Sequence, residues 1–288
     1  MELNNKLENK PQQIIKTKDF MVSMESFSLV FNENNLLYKT DPIPQDLQPY
    51  YDHKDYISHN DNGKDLFSRF YNVLRVINLK WKFRLVKKYN KHIESAFDFG
   101  CGTGAFLNLL KKKGIDISGL EINKSARGEA EKKLDLKILS AKDLNTDNNK
   151  YDLITLWHVL EHIEDFESVI QNLKSKLNNG GLLVIAVPNF NSFDAYWYQS
   201  YWAAYDTPRH INHFSRGTFR IISEKYNFDL IETKGMLFDS YFVSLLSEKY
   251  KKSKLRWIKA IIIGTLSNLY GFVKKDYSSQ VYILQKRN

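Results

Sequence analysis

The stretch Asp98-Phe99-Gly100-Cys101-Gly102-Thr103-Gly104-Ala105 constrains this chain more than any other. It follows a strand-like run, Ser95–Phe99, and leads into a run with helical spacing, Gly104–Lys113. Glycines at every second position let the backbone turn sharply and bring its amides close to a polar ligand. Gly100, Gly102 and Ala105 also satisfy the G-x-G-x-x-G/A fingerprint of dinucleotide sites, so a nicotinamide or flavin is one reading. Asp98 weighs against it, because a carboxylate before the first glycine repels a pyrophosphate and attracts an ammonium or a sulfonium. Glu121, 23 positions after Asp98 at the end of the next strand signal, is placed to accept both hydroxyls of a ribose.

Strand and helix signals alternate around this turn, the pattern of a parallel sheet covered on both faces. Strands are expected at Ser95–Phe99, Asp116–Leu120, Lys137–Leu139, Tyr151–Leu156 and Leu182–Val187, with a late pair at Phe228–Leu237 and Gln280–Leu284. Helices are expected at Gly104–Lys113, Lys124–Leu134 and Asp165–Leu177, and one capped by Ser215. A long amphipathic helix spans Leu66–Tyr89, with a break expected near Asn78. Residues 1 to about 19 are polar and read as a frayed terminus, whereas FMVSM, FSLVF and LLY, between Phe20 and Tyr38, suit small strands. The chain thus divides into an appendage at 1–60 and a main domain at 61–288, which carries an aromatic segment at 193–215 and an amphipathic insertion at 241–275.

The turn AFDFGCGTG, the acid in LEIN, the strand end YDLITLWHVLEHI and the strand GGLLVIAVPN, in this order, resemble the class I S-adenosylmethionine-dependent methyltransferases over residues 90 to 190. The resemblance implies an α/β fold with a Rossmann-like, seven-stranded, mostly parallel sheet, its last strand antiparallel, and S-adenosylmethionine as cofactor. Carried over by position, Asp98, Gly100, Gly102 and Gly104 line the methionine end, with Cys101 and Thr103 contributing backbone. Glu121 holds the ribose, Ile122 covers one adenine face, Ser140 with Asp143 nearby stands where an adenine contact often falls, and Leu156 and Trp157 border the methyl donor. The stretch Trp202–Ser215 further resembles a bacterial subgroup related to ubiquinone-type O-methyltransferases. Members of that subgroup often carry a zinc ribbon ahead of the enzyme domain, but residues 20–51 here contain no cysteine, so any such lobe must hold together without metal.

Methyl transfer to a hydroxyl needs an aligned nucleophile and a base. His158, His210 and His213 follow strand ends and are the catalytic candidates, as base or to orient substrate; Arg209 is available to an anionic group, and Trp202 and Tyr205 either roof an acceptor or pack in the core. His158-x-x-Glu161-His162 also spells the H-x-x-E-H of inverted zinc proteases, a reading that leaves the glycine turn unexplained. No metal is expected, although a divalent ion near Glu161 and His162 is the open alternative.

Residues 249–275 mix basic and large apolar side chains at helical spacing, as in an amphipathic lid or a membrane-surface helix. A buried face is the more ordinary use of such a pattern. One cysteine, Cys101, and a start without a secretory pattern lead to the expectation of a cytoplasmic protein, peripheral at most to the inner membrane. The net charge of +9 keeps a nucleic-acid or protein methyltransferase, or a non-catalytic binding module, as alternatives. The strand end LWHV lacks the N-P-P-Y-like motif of amide methylation, so a small molecule, quinol or glycan is the preferred acceptor.

Overall fold

The computed structural model describes residues 12–51, 66–144 and 148–287. In chain order the elements are β1 (Ile14–Lys18), β2 (Ser26–Asn32), β3 (Leu37–Asp41), α1 (Gln48–Tyr51), α2 (Leu66–Tyr89), β4 (Ser95–Phe99), α3 (Ala105–Lys111) and β5 (Asp116–Leu120). They continue with α4 (Lys124–Leu134), β6 (Tyr151–Trp157), α5 (Phe166–Lys176), β7 (Leu177–Pro188), α6 (Phe193–Tyr198), β8 (Asn212–His213) and α7 (Arg216–Lys225). The last are β9 (Phe228–Gly235), α8 (Asp239–Tyr250), α9 (Arg256–Lys274) and β10 (Ser279–Lys286).

The main sheet has the order β5-β4-β6-β7-β10-β9. β5, β4, β6 and β7 run parallel, and β10 is antiparallel to both of its neighbours. Successive residues of one strand feed opposite cores. Ile154, Leu156 and Ile185 pack with Phe166, Ile170 and Phe219 on one face, while Leu153, Val184 and Ile283 pack with Leu107, Leu110 and Leu134 on the other. The seventh strand expected at Lys137–Leu139 shrinks to a single parallel bridge, Leu120↔Leu139. Ser140 starts a capping box with Asp143 immediately afterwards and turns the chain away from the sheet. Helix α2 runs unbroken through Asn78, correcting the expected interruption there.

A second sheet, β1-β2-β3-β8, holds the N-terminal lobe. Its fourth strand comes from the chain after β7, with Tyr38 opposite His213 and Lys39 opposite Asn212. The expected fraying through residue 19 gives way to β1, paired along its length with β2; the rest of that expectation, residues 1–11, lies outside the described residues. The piece FMVSM is a turn instead of a strand, because the Asp19 carboxylate gathers the amides of Met21, Val22 and Ser23. Buried Arg209 reaches Asp19 at 2.9 Å and Asp206 at 2.6 Å, and Thr40 Oγ1 lies 3.0 Å from His213 Nε2.

Candidate active site

Parallel pairing of β4 with β5 and β6 brings the glycine turn and both acids to the carboxyl edge of the sheet, where open α/β folds bind ligands. The amides of Gly100 and Cys101 donate to Leu120 O at 2.8 and 3.0 Å, fixing the turn to the end of β5. Gly100 has φ +74°, and a Cβ there would meet Val159 Cγ2 at 2.5 Å. A Cβ on Gly102 would meet nothing within 4 Å, so the turn faces open space at that point. Glu121 spans the gap: Oε2 accepts from Gly102 N and Oε1 from Asn123 N, both at 2.8 Å. Each of its oxygens keeps a further lone pair for a diol.

Asp98 is buried in β4 and accepts from Thr155 Oγ1 of β6 at 2.5 Å. Burial pushes its carboxyl up to about 7, against the pull of Thr155 and Lys82, and the nearby Glu121 adds to the rise. Burial in turn brings Lys82 of α2 down to about 8, and its ammonium sits 4.1 Å from the centre of the Trp157 ring. Trp157 closes β6 and meets Phe106 edge-on, but its Nε1 is buried without a hydrogen-bond partner. Leu156 is fully buried and serves as a wall behind the site. Ile122 is 71% exposed beside Glu121, free to cover a flat ring. Ser140 donates its hydroxyl to Asp143 at 2.6 Å. These residues fit S-adenosylmethionine: Glu121 suits its ribose and Asp98 its cationic end, while the crowding at Gly100 leaves no room for a bulkier turn.

The histidines separate into different environments. His158 adopts φ +57° immediately after β6 and remains 34% exposed. Its Nδ1 lies 3.3 Å from Glu161 Oε1 and its Nε2 3.2 Å from Asp239 Oδ2 of α8. Burial would lower its pKa, but the two carboxylates outweigh that and push it up to about 10. The two carboxylates thus favour the charged ring, which speaks against the base of the two roles expected for His158. His213 is buried against Tyr205 and Thr40, and desolvation holds it well below the usual range, which keeps it neutral within the lobe contact.

His210 Nδ1 donates to Ala204 O at 2.9 Å, so in the neutral ring the lone pair sits on Nε2. His162 likewise engages Arg209 O through Nδ1, and burial followed by the charge of His210 brings it down to about 4. Their rings stand edge to face at 4.6 Å. Glu161, 1% exposed, completes the group: its Oε1 faces His158, and its Oε2 has no hydrogen-bond partner. Glu161, His162 and His210 each offer one ligand atom within 4.8 Å of the others, a set able to hold a divalent ion.

The expected acceptor contacts are rearranged. Trp202 and Tyr205 are core residues stacked edge to face, with Trp202 Nε1 donating to buried Asp194. Arg209, 1% exposed, already spends its charge on Asp19 and Asp206. Trp197 and Tyr201 are the exposed aromatics of that segment instead. A cavity of about 910 Å³ opens between the lobe and the end of α8, lined by Lys16, Lys18, Tyr201, Lys251 and Lys252, and shares no lining residue with the glycine turn. Lys82 and Asp239 were missed from sequence; an amphipathic pattern gives the face of a helix but not how far a lysine reaches.

The methyltransferase domain family matches residues 76–233, more than half of the chain, and the chain belongs to that family. The ubiquinone biosynthesis O-methyltransferase of Coxiella burnetii (strain RSA 493 / Nine Mile phase I) is 28% identical over 140 residues, covering 46% of this chain and 58% of the relative. The chain thus spans under two thirds of the length of that curated relative. The corresponding protein of Rickettsia typhi (strain ATCC VR-144 / Wilmington) is 27% identical over 200 residues, 64% of this chain and 80% of the relative. Among solved structures, the magnesium protoporphyrin IX methyltransferase of Synechocystis PCC 6803 with bound SAH shares the fold at TM-score 0.51 and 16% identity, over 78% of this chain and 89% of that one.

Proposed function

We propose that the protein is an S-adenosylmethionine-dependent methyltransferase acting on a hydroxyl of a small molecule, quinol or glycan. The observation that carries this reading is the pair of buried carboxylates, Asp98 and Glu121, joined to one glycine turn at the carboxyl edge of a parallel sheet. Similarity to ubiquinone biosynthesis O-methyltransferases supports an oxygen acceptor. The donor, when bound, supplies an electrophilic methyl carbon on a positively charged sulfur. Asp98 would stabilise that cationic end, Glu121 would orient the ribose, and Lys82, whose charge Asp98 supports, would be available to the donor's carboxylate. In such a transfer the acceptor hydroxyl would have to lose its proton, and His210, whose Nδ1 is tied to Ala204 O, would offer Nε2 to take it. His158 has both ring nitrogens turned to carboxylates, Glu161 and Asp239, and so would act by fixing α8 against the end of β6 beside the site.

Titration calorimetry with S-adenosylmethionine, its demethylated product and NAD tests the reading. Binding of both sulfur ligands, lost in Glu121→Ala, is expected. Binding of NAD alone would overturn it.

A further inference from the structure

Helix α9 is packed inside out. The side chains it buries against the domain are mostly small: Ala260, Gly264, Ser267 and Gly271, with Ile263 as the one large member. Its large apolar residues face outward, among them Trp257, Ile258, Ile261, Leu269, Phe272 and Val273, the last two more than 70% exposed. Rotation cannot hide them. Ser267 Oγ is anchored to Asp194 Oδ1 at 2.6 Å, Ser240 Oγ of α8 reaches Gly264 O at 3.1 Å, and a Cβ on Gly264 would meet Tyr241 at 2.6 Å. Helix α8 repeats the arrangement, with Ser240, Ser244 and Ser247 inward and Phe242 outward.

Charge identifies what covers this face. Between residues 249 and 275 the chain carries eight lysines and arginines and no aspartate or glutamate. All eight are exposed. Two copies meeting through this face would press these cations together, whereas an anionic surface neutralises them. No described helix is long and apolar enough to cross a membrane, so α9 is suited to lie in the interface plane. The hairpin also reaches the site, since Asp239 at the start of α8 holds His158 and the neighbouring Leu237 and Phe238 are exposed.

We propose that the α8–α9 hairpin docks on an anionic lipid bilayer through the outer face of α9. On the functional reading above, on which this consequence rests, the acceptor is a membrane-resident amphiphile entering beside Phe238.

The test is co-sedimentation of the full chain with phosphatidylglycerol–phosphatidylethanolamine vesicles, compared with phosphatidylcholine vesicles. The first should pellet the protein, the second should not, and high salt should release it. The pair Ile261→Ser and Phe272→Ser, on exposed positions, should abolish pelleting; Lys254→Ser and Lys259→Ser should each weaken it about fivefold. Failure to pellet, equal pelleting on neutral lipid, or a solution dimer that the Ile261→Ser and Phe272→Ser pair dissociates would each overturn docking. None of these readouts needs a donor, so calorimetry with S-adenosylmethionine reports separately on the functional reading.

Discussion

The backbone amide of Gly102 donates to Glu121 Oε2 at 2.8 Å, so the acid proposed to hold the ribose also sets the shape of the glycine turn. Glu121→Ala removes both functions, leaving the amides of Gly102 and Asn123 without their acceptor. Donor affinity should fall about 100-fold or more, at the scale of charge-assisted hydrogen bonds. Glu121→Gln, whose amide accepts through one oxygen only, should fall between the two. Calorimetry on both variants checks the order.

Asp98 gives donor binding a pH dependence. Its carboxyl is raised to about 7 by burial, and a cationic donor favours the ionised form. Affinity should therefore rise with pH by about tenfold per unit below about 7 and level off above it. The same shift makes the ligand-free protein lose stability as pH rises from the unfolded value, 3.8, through about 7. Asp98→Asn should bind weakly with a flat profile.

Arg209 fastens the lobe to the main domain. Arg209→Met leaves Asp19 as an unpaired buried charge, which costs about 3–5 kcal/mol. Burial would raise the Asp19 carboxyl, but Arg209 and the amides of Ser23 and Val22 outweigh it and hold the group below its usual 3.8. Its stabilisation is therefore complete above 3.8 and is lost as pH falls through the depressed value. Urea unfolding across the acid range should show this loss in the parent chain and its absence in Arg209→Met.

Asp194 holds three donors at once: Trp202 Nε1, Ser267 Oγ and Ser278 Oγ. Asp194→Ala orphans all three in the interior and should cost on the order of 3 kcal/mol. Because Ser267 belongs to α9, hydrogen exchange should accelerate there before it does in β4 or β6.

The parts legible in sequence are those whose signal is local. β4, β5 and α4 fall where apolar runs, glycines and the Asn123 cap place them, and Glu121 stands at a fixed distance from the turn. The parts that were not legible depend on partners far along the chain. Arg209 looks like an anion ligand until Asp19, 190 positions away, is seen to claim it. Trp202 and Tyr205 have the composition of a ligand roof, and partners distant in sequence, Leu29 and Tyr38 of the lobe with Val243 and Ile263 of the hairpin, make them core. β1 was hidden because it buries a single side chain, Thr17, and carries no apolar alternation to read. The base and orienting roles of His158 were indistinguishable in sequence, since nothing in its neighbourhood announces Asp239.

The pairing of His213 with Tyr38 makes one stretch of chain serve two masters. Residues 209–213 border the histidine group while also forming the rim of the lobe's sheet, so an insertion there would misregister a strand as well as reshape a cleft. The exposed outer face of α9 carries no such double duty, so substitutions there leave both sheets in register.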